Sequence, residues 1–227
     1  MDAVAEKYRA FWADQVSPLH GHDSTEFRCR VATELRALFS DRYPENVLEI
    51  GCGNGYFFDF LNFSTGSYRG VDFAPKLLAA FRSSHPDLDL IEAEGSSYVD
   101  NGSYDLILTH GVIQHFSLEM LDCHFRNARS MMHEKSLLVC AAVPWREFRS
   151  MYDIGALSDR RRVSPVRWAK SQMSRLLGRD MMGHWYRIEE ITALAQKHSF
   201  AVRFYMSDVH PYRFHAVLWL EAPSKGL

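Results

Sequence analysis

The chain has 227 residues, 47% of them hydrophobic, with 26 basic and 28 acidic side chains and a formal charge of −2. That is enough apolar material for one sizeable core, so a single domain over residues 1–227 is expected, and the near-neutral balance offers no overall attraction to nucleic acid. Cys29, Cys52, Cys123 and Cys140 are too scattered for a zinc site or a disulfide framework, and no apolar run approaches the roughly 18 residues of a membrane span. The N-terminus mixes acids with its apolar residues, so we expect a soluble cytoplasmic protein with no metal and no membrane partner, as a monomer or homodimer.

Two helices are predicted within residues 1–43. Val4, Tyr8, Phe11 and Trp12 recur at helical spacing, and the loop SPLHGHD follows. Its pair His20 and His22 has no third or fourth ligand in view and reads as loop. The second helix has Asp23 or Ser24 as its cap, Glu26 to complete a capping box, and an apolar stripe of Phe27, Val31, Leu35 and Leu38.

The most informative stretch is VLEIGCGNGYF at residues 47–57. An apolar run containing Glu49 meets Gly51, Gly53 and Gly55 at alternate positions, and a helix-compatible stretch follows. Glycines there allow backbone angles that a Cβ forbids and let a ligand approach the main chain, while the helix start turns unpaired N–H groups toward it. A nucleotide-like ligand is therefore expected against residues 51–55. The run SYRGVD reads as a second strand and ends in Asp72, seventeen residues after Gly55, where a carboxylate can accept from both hydroxyls of a ribose.

Together with IEAEG at residues 91–95 and YDLILTHGVIQHF at 104–116, these motifs resemble, in order, those of the class I S-adenosylmethionine-dependent methyltransferases. The likeness covers roughly residues 44 to 142. It implies a doubly wound α/β fold with a seven-stranded sheet, mostly parallel with an antiparallel last strand, helices on both faces, and S-adenosyl-L-methionine as cofactor. It also implies cofactor contacts from Glu49, Gly51, Cys52, Gly53, Gly55, Asp72 and Phe73. By position Glu94, Gly95 and Ser96 would meet the adenine, and His110 and Gly111 face the same crevice. In such leading helices Trp12 becomes a candidate acceptor contact.

His115 lies where the resembled family often has a histidine, and an imidazole near its ordinary pKa can take a proton from an acceptor. A helix capped by Ser117 then leads through the turn His133-Glu134-Lys135, where the family usually has glycines, to a fifth strand at 136–142. Residues 145–187 interrupt the rhythm of alternating strands and helices. They hold ten basic and four acidic residues, a local charge of +6 against −8 for the remainder. Within them Ser164 caps a helix that starts at Pro165 and stops at Gly178, with Val166, Ala169, Met173 and Leu176 as its apolar face.

We read residues 145–187 as a helical lid over the cleft. A basic lid suits an anionic acceptor, so Arg146 and Tyr152 are candidate acceptor contacts and His184 a second catalytic candidate. The triplet Arg160, Arg161 and Arg162 reads as solvated surface. The helix at 188–197 and strands at 200–206 and 213–221 close the fold.

The expectation is methyl transfer to oxygen or nitrogen of a small, anionic metabolite such as a sugar, nucleotide-sugar or natural-product acceptor. A non-catalytic S-adenosylmethionine-binding module is the alternative. An NAD-dependent oxidoreductase is disfavoured, since it would place its third glycine one residue later and needs a substrate-side Tyr-Lys or His-Asp device that the chain lacks.

Overall fold

The computed structural model describes residues 8, 10–15, 24–41, 43–157, 163–177, 180 and 182–221. Expectations for His20, His22, Asp23, Arg160, Arg161, Arg162 and Gly178 fall outside them. Seven strands form one sheet: β1 (Val47–Ile50), β2 (Tyr68–Asp72), β3 (Asp89–Glu92), β4 (Tyr104–His110), β5 (Met132–Pro144), β6 (Phe200–Met206) and β7 (Arg213–Leu220). Their spatial order is β3-β2-β1-β4-β5-β7-β6. Strands β1 to β5 pair in parallel, and β7 runs antiparallel to both β5 and β6. The order reverses between β1 and β4, so the crevice beyond their carboxyl ends is where an open α/β sheet takes its ligand.

Alternation along the strands divides the core in two. Val47 joins one cluster and Leu48 and Ile50 the other, because successive side chains of a strand leave opposite faces. The first face is covered by α1 (Thr25–Ala37), α2 (Phe58–Leu61) and α3 (Pro75–Ser84), through Val31, Leu35, Phe58, Leu78 and Phe81. The second is covered by α4 (Leu118–Ser130) and α7 (Ile188–Lys197), through Leu121, Phe125, Ile191 and Ala195. Helix starts fall where the capping residues placed them. The hydroxyls of Ser24, Ser117 and Ser164 accept from the N–H groups of Phe27, Met120 and Arg167.

Two local expectations are corrected. His133, Glu134 and Lys135 do not form a turn ahead of β5 but belong to it. The strand begins at Met132, paired with Tyr104, and shifts register before Leu106 meets Leu137. Ser136 Oγ explains the detour, donating to Tyr104 O at 2.7 Å and accepting from His133 N at 2.8 Å. The helix after the glycine turn, expected over residues 56–62, is confined to Phe58–Leu61, with Asn62 in a left-handed conformation.

The insertion after β5 holds α5 (Arg149–Asp153) and α6 (Pro165–Leu176). Its two ends are tied together at the sheet's carboxyl edge. Tyr186 N donates to Pro144 O and Arg146 N to Tyr186 O, each at 2.9 Å. The buried Tyr186 Oη lies 2.9 Å from the carbonyls of Ile113 and Phe116 and so braces the turn after β4.

Gly55 is the packing glycine of the first turn. It sits at φ +75°, and a Cβ there would lie 2.1 Å from the Phe81 ring that anchors α3. Gly55→Ala is therefore expected to lower the unfolding free energy by about 2–4 kcal/mol through left-handed strain and overpacking together. A urea midpoint equal to that of the parent chain would contradict this.

Candidate functional site

A cavity of about 490 Å³ opens at the carboxyl ends of β1, β2 and β4, a volume suited to a cofactor-sized ligand. One wall is acidic. Glu49 is buried in β1 and its carboxylate accepts from Tyr68 Oη at 2.6 Å. Burial lifts the Glu49 carboxyl to about 7, against the pull of the Tyr68 hydrogen bond and with added push from Asp72. Asp72 closes the glycine turn: Oδ2 accepts from Gly53 N and Oδ1 from Ala74 N, both at 2.8 Å. Burial raises its pKa although these N–H groups favour the ionised form. Asp72 also lines the cavity, and a carboxylate can accept further hydrogen bonds beyond these.

The residues expected around a cofactor fall mostly on this wall. Glu49, Gly51, Cys52, Gly53, Asp72 and Phe73 line it, and Glu94 and Gly95 continue it beyond β3. His110 and Gly111 add the end of β4, the His110 ring packing 4.8 Å from that of Phe57. Gly55 and Ser96 stand behind the wall. Gly55 faces Phe81, and Ser96 is buried with its hydroxyl 3.4 Å from Glu94 Oε1. Gly53 is the opposite case, at φ +56° with only Leu77 Cδ1, 3.9 Å away, near the place a Cβ would take. Ligand can therefore come against its backbone.

The other wall comes from later in the chain. His115 lies in the wall with its ring 4.5 Å from Tyr8 and 6.1 Å from Trp12. Burial, assisted by the charge of Arg213, lowers its pKa to about 4. The expectation of a base near its ordinary pKa is thus corrected: at neutral pH His115 is an uncharged, weakly basic ring. Tyr152 lines the cavity as expected, from α5.

Arg146 and His184 do not reach the wall. Trp145 packs inward on the core, and Arg146 opens a short 3-10 turn, Arg146–Phe148, with its side chain exposed. His184 is held by its backbone, N–H to Gln114 O at 2.6 Å, with its ring 4.3 Å from Tyr186.

In place of Arg146, the structure puts Arg213 in the cavity wall. Among the described residues it is the one guanidinium or ammonium there. Its Nη1 donates to Gln114 Oε1 at 2.8 Å and also to Ala142 O. Ala142 sits at φ +56° in a β5 bulge between the Cys140–Ala216 and Val143–Phe214 pairs, which turns its carbonyl to that guanidinium. Tyr212 and His210 precede Arg213 in the wall. Their loop is pinned by Glu34, which accepts from Ser207 Oγ at 3.1 Å and Val209 N at 3.3 Å.

Residues 47–135 match the methyltransferase domain family model. Trans-aconitate 2-methyltransferase of Escherichia coli is 32% identical over 98 residues, which cover 42% of this chain and 38% of that protein. The chain thus spans well under half the length of the curated relatives it matches. DesVI of Streptomyces venezuelae superposes with a TM-score of 0.65 at 13% identity, over 87% of this chain and 93% of that one. Magnesium protoporphyrin IX methyltransferase of Synechocystis, solved with bound S-adenosylmethionine, gives 0.63 at 10% identity over 97% and 99%.

The chain has the fold of the class I S-adenosylmethionine-dependent methyltransferases, and its residues 47–135 are similar to their domain. The cofactor of that family fits the cavity on the chain's own evidence. Three carboxylates, from Glu49, Asp72 and Glu94, face a ligand that bears a sulfonium and an ammonium, and the open backbone at Gly53 accommodates its approach. Asn54 Oδ1, in the same wall, is buried without a hydrogen-bond partner among the described residues. Among the described residues no group of acidic, histidine or cysteine side chains is placed to hold a metal ion.

Two outcomes follow for this cavity. Gly53→Val is expected to abolish S-adenosylhomocysteine binding by calorimetry while the chain still folds, at about 1–2 kcal/mol lower stability from the left-handed backbone. The Glu49 carboxyl, raised to about 7, stays protonated in the fold well above its ordinary range, so ionising it costs stability as pH rises from there. A cationic cofactor favours the ionised form. S-adenosylmethionine should therefore bind more weakly at pH 6 than at pH 8 and release a proton near pH 6.5, as read by calorimetry in buffers of different ionisation enthalpy. Glu49→Gln should remove that release.

Proposed function

We propose that this protein transfers the methyl group of S-adenosylmethionine to a carboxylate oxygen of a small anionic metabolite. The observation that carries the reading is the division of the cavity, with three carboxylates on the wall beside the glycine turn and Arg213 on the wall from β7. A cationic cofactor is drawn to the first wall and an anionic acceptor to the second, since a guanidinium fork matches a carboxylate. Held this way, an acceptor oxygen lies between the walls and is oriented for in-line displacement, where positioning supplies much of the rate.

Bound S-adenosylmethionine supplies an electrophilic methyl group. A carboxylate oxygen takes it without giving up a proton, because its proton is already lost at neutral pH. This suits the histidine in the wall. His115, lowered to about 4, would be a poor base for a hydroxyl or ammonium acceptor but serves as a neutral hydrogen-bonding and packing group. Glu49, Gly51, Gly53 and Asp72 would hold the cofactor, with Phe73, Glu94 and Gly95 at its adenosine end. Trp12, His115 and Tyr152 would enclose the acceptor, and Arg213, positioned by Gln114, would carry its charge. The relatives named for trans-aconitate, an anionic small molecule, support the same acceptor class.

The test is a panel of mono-, di- and tricarboxylates incubated with S-adenosylmethionine and read by mass spectrometry. The expected product gains one methyl group and loses it in mild alkali, as an ester does and an ether does not. Preference for uncharged acceptors, or an alkali-stable product, would sink the reading. Arg213→Ala should lower kcat/KM for the acceptor roughly ten- to a hundredfold, about 1.5–3 kcal/mol for a charge-assisted hydrogen bond, with S-adenosylhomocysteine affinity unchanged. Arg146→Ala should change neither.

A further inference from the structure

Helix α6, Pro165–Leu176, is amphipathic in the sense opposite to that of a packed helix. The face it turns toward the protein is polar. Ser171 Oγ donates to Asp153 Oδ1 at 2.7 Å, Arg175 Nη2 lies 2.9 Å from Asp153 Oδ2, and the Arg167 guanidinium sits 5.5 Å from the centre of the Tyr152 ring. Asp153 itself is buried, which makes these two partners necessary rather than decorative. The apolar face predicted for a lid that closes over the cleft points the other way. Val166 is 64% and Leu176 82% exposed, and Met173, Leu177 and the nearby Val163 are exposed with them. Helical spacing brings Val166, Ala169, Met173 and Leu176 onto one stripe. Among the described residues none covers it.

An apolar stripe of this size on a surface helix marks an interaction site. Charge identifies what would cover it. Residues 163–177 carry Arg167, Lys170 and Arg175 and no acid, and with Arg175 held by Asp153 the unneutralised charge beside the stripe is positive. Two copies of such a helix would bring like charges together, which weighs against self-pairing.

We propose that α6 is an interfacial helix that seats this protein on an anionic lipid bilayer. Val166, Met173, Leu176 and Leu177 would enter the acyl boundary, and Lys170 beside them would meet the lipid phosphates. The helix lies on the membrane and does not cross it; no helix among the described residues is long and apolar enough to do so. A single short helix gives weak attachment, so docking is reversible and salt-sensitive. The proposal stands apart from the methyl-transfer reading, but the two meet at α5, where Tyr152 lines the cavity and Asp153 next to it holds α6.

The experiment is co-sedimentation of the full chain with vesicles of phosphatidylcholine alone and of phosphatidylcholine mixed equally with phosphatidylglycerol. Binding is expected to the second only, weakening as salt is raised. Lys170→Ala should reduce the partition coefficient roughly fivefold, the loss of one cation near a charged surface. Leu176→Glu should abolish binding while its circular dichroism and S-adenosylhomocysteine affinity match the parent, since an exposed side chain is changed. The proposal is overturned if the parent chain stays in the supernatant with anionic vesicles, or if Leu176→Glu sediments as the parent does. It is equally overturned by a concentration-dependent dimer that Leu176→Glu dissolves without any vesicle binding, which would give the stripe to a second copy.

Discussion

The carboxylate of Asp72 ties the end of β2 to the turn that leaves β1, and the geometry of the cavity depends on that tie. Both of its oxygens accept backbone N–H groups, one from Gly53 and one from Ala74 at the start of α3. Within the glycine turn Gly55 N donates to Cys52 O at 3.0 Å, while Gly53 N, at a left-handed position, finds its partner outside the turn. A buried carboxylate supplies what is missing. It is kept there against a desolvation cost that raises its pKa, and that cost falls when a ligand donates to its remaining lone pairs.

Electrostatics then divides the cavity in a way that local sequence does not suggest. Strands β1 to β3 bring carboxylates to one wall, and β7 brings a guanidinium to the other. Separation of unlike charges across a partly desolvated space is costly unless ligands of matching sign fill it. The depressed pKa of His115 belongs to the same arrangement, because burial among Tyr8 and Trp12 disfavours a charged ring and the nearby guanidinium opposes it further. The cavity thus holds charge for binding on both walls, while His115 itself offers little basicity at neutral pH.

The insertion after β5 follows a different logic from the sheet. Its ends are fixed by backbone pairing at Pro144, Arg146 and Tyr186, and its middle is fixed by the buried Asp153 with Arg175 and Ser171. Polar groups that need partners determined which face of α6 turns inward, since an unpaired buried carboxylate costs more than a few exposed apolar side chains. The apolar stripe was left outside as a consequence.

The sequence by itself determined the strands, the helix caps and the glycine turn. Apolar runs such as residues 104–109 have period and length that admit little else, and Ser24, Ser117 and Ser164 satisfy helix ends with their own hydroxyls. It also indicated Glu49, Gly53 and Asp72, because the turn and the two strand ends that carry them are local features. Arg213 was not legible. It opens an antiparallel strand, and only the placement of β7 against β5, with Arg213 opposite Pro144, sets that opening residue at the carboxyl edge of the parallel strands. Arg146 was assigned from its nearness in sequence to the end of β5, but the chain leaves the strand there into a 3-10 turn that packs Trp145 inward and leaves Arg146 exposed. The orientation of α6 escaped for a related reason. Periodicity fixes which residues share a face, whereas the direction that face points depends on Asp153, a partner outside the helix that only the tertiary structure brings to it.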